Sequence, residues 1–145
     1  MENVFRDPAA ATRDLRGSPV HARLGLTVVE QEPGRVVLTM DNLNHEDVGG
    51  QVPGAVHGGV LATFADVANA VALEGTYDLA TEQPVTTDMH VRYYRQPRGG
   101  PLKATGTMVH KGRRLLSSEC VVVDAEDRVL VRSTATYMIV RLDQL

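Results

Sequence analysis

His57-Gly58-Gly59 opens an apolar stretch that runs from Val56 to Glu74, and Asp66 is the one acid in its interior. If that stretch is a helix, its first N–H groups have no intrahelical partner and carry partial positive charge. Glycine lets another group come close to the backbone there. Such a start can hold a carbonyl oxygen as it becomes an oxyanion. It can equally be a loop-to-helix junction that needs glycine geometry. Around Asp66 the same helical face carries Ala62, Thr63, Asn69 and Ala70, all small or polar. A carboxylate among small side chains leaves space for a ligand or a partner chain, although isolated acids on helices are more often just solvated. Gln51, six residues before His57, could orient a substrate or a water, or be an ordinary polar loop residue.

Spacing links these features. Asp66 follows Gly58 by eight residues, roughly 12 Å along a helix. One chain's Asp66 therefore cannot reach a carbonyl held at its own Gly58. If both act on one bond, the second comes from another subunit. A two-fold dimer with antiparallel helices would bring each Asp66 to the partner's Gly58 and create two composite sites.

The elements that must position these groups can be read from the pattern. Val60, Phe64, Val67 and Val71 recur at helical spacing, so residues 56–74 form the one long helix, apolar enough to be buried on most sides. Before it, residues 9–15 suit a short helix, and residues 26–30 and 36–41 suit two strands joined at Glu32-Pro33-Gly34. Residues 42–54 are a polar, glycine-rich loop. After the helix the chain is β-rich, with strands expected over 85–94, 102–110, 115–123 and 129–140. In the first of these, Val85, Thr87, Met89, Val91 and Tyr93 alternate against Thr86, Asp88, His90, Arg92 and Tyr94. Successive strands with short turns imply an antiparallel meander. A sheet that buries one helix must curl around it. The expectation is an α+β fold in a single domain, residues 1–145, with residues 1–20 as a helical or irregular segment.

Composition narrows the classes. The 145 residues are 43% hydrophobic and 23% charged, with a net charge of -3. No broad basic excess exists to neutralise phosphates, so nucleic acid is not an expected partner. Apolar runs are far shorter than the ~20 residues of a membrane helix, and no membrane partner is expected. The start of the chain lacks the pattern of a secretory signal. One cysteine, Cys120, allows no intrachain disulfide, which suits a reduced cytoplasmic setting. His21, His45, His90 and His110 lack metal-ligand spacing, so no metal and no resident cofactor is expected.

The run from Val56 to Asp66, VHGGVLATFAD, resembles the HGG-containing helix of hotdog-fold acyl-CoA thioesterases, of the phenylacetate-pathway and 4-hydroxybenzoyl-CoA thioesterase kind. The likeness extends to Leu24-Gly25-Leu26, to Thr86 through Val91 and to the Gly112-Arg113 turn. It implies a hotdog fold, an antiparallel sheet wrapped around one long central helix. It implies that Gly58 supplies the oxyanion N–H, that His57 supports that loop, and that Asp66 of the opposite subunit is nucleophile or base. Gln51 would sit near the thioester or the attacking water, and Thr86 would position water. Some members carry Glu in place of Asp66 and Asn in place of Gln51. Members are usually dimers of dimers, which implies a homotetramer.

Thioester hydrolysis suits this equipment, since a thiol of pKa ~8.5 leaves without a strong general acid. Direct attack by the carboxylate would give an anhydride, and base catalysis would not. Coenzyme A, as part of the substrate, brings phosphates. Arg92, Arg95, Arg98, Lys103, Lys111, Arg113 and Arg114 all fall in the C-terminal β region. The resemblance favours the turn with Lys111, Arg113 and Arg114, Arg113 first. An enoyl-CoA hydratase or dehydratase, or a non-catalytic acyl-CoA binding module, would use the same fold.

Overall fold

The computed structural model describes residues 7–41, 49, 52, 55–97 and 100–145. Two short helices lead in, α1 (Pro8–Leu15) and α2 (Pro19–Arg23). Each has proline in its first turn, where the missing N–H costs nothing. Strands β1 (Leu26–Glu32) and β2 (Arg35–Met40) follow, then the long helix α3 (Gly58–Val71). Strands β3 (Glu82–Tyr93), β4 (Leu102–Lys111), β5 (Leu115–Val123) and β6 (Val129–Arg141) complete one six-stranded sheet. Among the described residues no helix is long and apolar enough to cross a membrane.

All five strand pairings are antiparallel, in the order β1-β2-β4-β5-β6-β3. The simple meander therefore holds only for β4, β5 and β6. Strand β3 pairs with β6, not with β4, and β4 goes to the open side of β2. The connection from β3 to β4 contains Pro97 and Pro101, not a tight hairpin turn. It lets the chain travel from one edge of the sheet to its middle. One edge of β3 is left without a partner strand among the described residues.

Helix α3 packs against the sheet, touching β2, β3, β4, β5 and β6. Leu61, Phe64, Ala65 and Ala68 join Leu38, Met40, Leu102, Ala104, Val122 and Val131 in one buried cluster. Burying each of the larger side chains contributes about 1.5–3 kcal/mol. Contact is close at β4, where Gly106 faces the helix. A Cβ at Gly106 would run into the Ala68 carbonyl and stand 3.2 Å from the Ala72 Cβ. The helix is tied to the sheet by polar groups too. Asn69 is fully buried, donates to Ser133 Oγ at 2.8 Å and accepts from Ser118 Oγ at 3.0 Å.

Burial on most sides holds only toward the sheet. Gly59 is exposed, and Ala62, Thr63, Asp66 and Ala70 are half-buried. The helix also stops three residues earlier than its apolar pattern suggests. Turns take over from Ala72, and Gly75 adopts φ +80°, a left-handed conformation that glycine tolerates best.

Strict alternation in β3 fails as well. A bulge between Thr86 and Asp88 leaves Thr87 unmatched, so Thr86 pairs with Tyr137 and Met89 with Ala135. Thr86 thus shares the helix-facing side with Met89, Val91 and Tyr93. Register depends on the neighbouring strand, which a period-2 reading of one segment does not contain.

Candidate active site

His57 is the N-cap of α3. Its Nδ1 accepts from the Gly59 N–H at 2.9 Å, which puts the proton of a neutral ring on Nε2. The His57 carbonyl accepts from the N–H groups of Val60 (2.9 Å) and Leu61 (3.2 Å). Of the first-turn donors, the Gly58 N–H alone has no partner among the described residues. It keeps its share of the positive helix end. Packing within the chain does not demand a glycine at this position, because the nearest atoms a Cβ there would meet belong to Tyr93, at an ordinary contact distance of 3.6 Å. The missing side chain leaves room for a group from outside.

Tyr93 adds a second feature at this end. Its hydroxyl donates to the Gly58 carbonyl at 2.8 Å, which ties the end of β3 to the start of α3. Gly58, Gly59, Leu61, Tyr93, Tyr94 and Arg95 line a cleft of about 420 Å³ beside the free N–H. This is the size of a small-molecule pocket.

Asp66 sits two turns along, on the uncovered face. Its Oδ1 accepts from Tyr137 Oη at 2.8 Å, and Thr86 Oγ1 lies 3.4 Å from the same oxygen. Tyr137 Oη is also 3.1 Å from the Asp66 carbonyl oxygen. No hydrogen bond reaches Oδ2 from the described residues. Tyr137 is 1% exposed. Burial first, and then the charge of Asp66, pushes its phenol well above the ordinary tyrosine range. It therefore keeps its proton and stays a donor.

The expected site residues divide accordingly. His57 and Gly58 meet at the helix start, while Asp66 and Thr86 meet two turns away. Gln51 lies outside the described residues. Lys111, Arg113 and Arg114 come together on the exposed turn between β4 and β5. The Arg114 carbonyl accepts from the Ile139 N–H at 2.8 Å, so this turn lies at the Tyr137 end of the sheet and not beside Gly58. Among the described residues no group of three His, Cys, Asp or Glu comes together to hold a metal.

Tyr137 escaped the sequence reading. Alternation along β6 does put Tyr137 on the inner face with Ala135 and Ser133, and a buried phenol needs a partner. That signal says an acceptor must exist, not that it is Asp66. Nothing local marks the hydrogen bond of Tyr93, because its acceptor is a backbone carbonyl 35 residues away.

A six-stranded antiparallel sheet with one long helix packed against it is the hotdog thioesterase fold. The thioesterase superfamily profile matches residues 53–131, more than half of the chain. The chain belongs to that superfamily, and it is a thioester hydrolase. It is 26% identical over 133 residues to the medium/long-chain acyl-CoA thioesterase YigI of Salmonella typhimurium, covering 83% of this chain and 85% of that one. The fold matches thioesterase HI1161 of Haemophilus influenzae with a TM-score of 0.83 at 20% identity, over 95% of this chain and 93% of that one. It also matches the phenylacetic acid degradation protein PaaI of Thermus thermophilus, with a TM-score of 0.72 at 26% identity, over 83% and 98% of the two chains.

Proposed function

We propose that this protein hydrolyses acyl-coenzyme A to a free acid and coenzyme A, at composite sites between two copies of the chain. The observation that carries the reading is the unpartnered Gly58 N–H at the start of α3, beside an open cleft. A thioester oxygen accepting from it would gain from the helix dipole as negative charge develops. Asp66 of the partner subunit would then take a proton from an attacking water, or attack the carbonyl carbon itself; the thiolate would leave, and in the second route water would cleave the resulting anhydride to free the acid and restore Asp66.

Two features support a second copy. The half-buried face of α3 that carries Ala62, Thr63 and Asp66 is lined by small side chains. The adjacent edge of β3 has no partner strand among the described residues, and Val85 and Tyr93 on that strand are exposed. Pairing of two such edges would extend the sheet and bring two helices side by side in opposite directions. Further pairing of dimers would give a tetramer. Arg113, Arg114 and Lys111 are exposed cations free to meet the phosphates of coenzyme A. The His57-Gly58-Gly59 to Asp66 run supports a place in the HGG branch of the family. The bacterial relatives named above and the lone buried thiol support a cytoplasmic enzyme.

The test is thiol release from a panel of acyl-CoAs, wild type beside Asp66→Asn. The panel spans short and medium aliphatic and aromatic groups, and longer chains because the YigI relative is named for medium and long ones. Asp66→Asn should lower kcat by roughly 100-fold or more on the preferred substrate while the oligomer stays folded. Full turnover in Asp66→Asn, or no thiol release from any thioester, would sink this mechanism.

A further inference from the structure

We infer that Tyr137, with Thr86 as a second donor, is the positioning residue that fixes the carboxylate of Asp66 and leaves Oδ2 as the oxygen that reacts. This rests on the role proposed for Asp66 above.

A carboxylate on a two-torsion side chain has two equivalent oxygens and turns easily. Here that symmetry is broken. Tyr137 Oη at 2.8 Å and Thr86 Oγ1 at 3.4 Å both address Oδ1, while Oδ2 receives nothing from the described residues. The donors come from β6 and β3, which are paired with each other at Thr86 and Tyr137. Strand β6 is also bonded to β5 on its other side. The phenol is thus held on an inner strand of the sheet, and Tyr137 is buried.

Tyr137 has one proton and two acceptors near it. The Asp66 carbonyl at 3.1 Å would be enough to satisfy a buried hydroxyl. The shorter contact goes instead to the charged oxygen, where a hydrogen bond is stronger. A purely structural tyrosine would not need that choice. With Oδ1 engaged, Oδ2 accepts the proton of the attacking water, or forms the bond to the thioester carbon as the carbon–sulfur bond breaks, giving an anhydride that water then cleaves to free the acid and restore the carboxylate. Holding the reacting group in one geometry removes a rotational cost from the transition state.

The test uses the full-length oligomer and its best acyl-CoA. Tyr137→Phe keeps the ring and deletes the donor. The expected result is a fall in kcat of about 10-fold or more with KM within about 2-fold, the pattern of an interaction made for the transition state. Thr86→Val should lower kcat about 3-fold in the same way, and it carries the test if Tyr137→Phe fails to fold. In the Asp66→Asn background, adding Tyr137→Phe should change the residual turnover by less than about 2-fold. Unchanged kcat in the folded variants, a loss expressed in KM, or an undiminished loss in the Asp66→Asn background would overturn the inference. An inactive Asp66→Asn beside a fully active Tyr137→Phe removes this inference alone. A fully active Asp66→Asn removes the reading it rests on.

Discussion

Asp66 and Asn69 lie three residues apart on α3, and the fold treats them in opposite ways. Asn69 points into the sheet, is fully buried, and has its amide nitrogen and oxygen both engaged, by Ser133 and Ser118. Asp66 lies on the uncovered face with one oxygen held and the other open. A buried polar group must be satisfied within the chain or it destabilises the fold. A group that is to act on a substrate must keep some capacity unspent. Partner accounting on one helix separates the residue that fixes the fold from the residue proposed to do the chemistry.

If that division is right, changes on the sheet side of α3 should cost stability, and changes at Asp66 should cost turnover at nearly constant stability. The largest stability effect is expected from Gly106→Ala. The added Cβ meets the backbone carbonyl of Ala68, which no side-chain rotation can relieve. Chemical denaturation should register a loss of about 3 kcal/mol. A loss below about 1 kcal/mol would mean the helix rides more loosely than described. Asn69→Ala comes next. It strands the hydroxyls of Ser118 and Ser133 in the core, and the denaturation midpoint should report a loss of about 2 kcal/mol. Asp66→Asn measured alongside should move that midpoint far less. Equal losses from the two variants would erase the contrast.

The smallest effect is a pH dependence on the same closed side. Burial pushes the Cys120 thiol from 9.0 up to about 12. Between those values the unfolded chain has released the proton and the folded chain has not, so rising pH favours unfolding. The stability from this group is complete below pH 9 and is lost as pH climbs toward 12. From pH 8 to pH 10 wild type should lose about 1 kcal/mol more than Cys120→Ala, which has no thiol to titrate. Parallel pH profiles for the two proteins would show that Cys120 is not sealed in the core.

Much of this was legible in the amino-acid sequence. Val60, Phe64, Val67 and Val71 announce α3, and alternation announces β4, β5 and β6. The His57-Gly58-Gly59 run falls at the helix start, as its residue types require. What was not legible depends on contacts between distant segments. Strand β3 reads as a neighbour of β4 because the two follow each other in the chain, yet it pairs with β6. The openness of Asp66 follows from where the sheet stops, not from the residues beside it. Tyr137 looks like one more apolar-facing strand residue until its distance to Asp66 is known. Pro19 by itself does not announce a helix, yet it opens α2 at a position that tolerates it.

The unmatched Thr87 in β3 has one more consequence. It acts as a phase shifter, so the two halves of a single strand are set independently. Upstream of it, Thr86 is delivered to the carboxylate; downstream, Tyr93 is delivered to the start of the helix. An uninterrupted strand would have to choose, since these residues are seven apart and odd spacing points side chains to opposite faces. One extra residue lets the same strand serve both ends of α3, which gives the open edge of the sheet a conformational address that neither half would have alone.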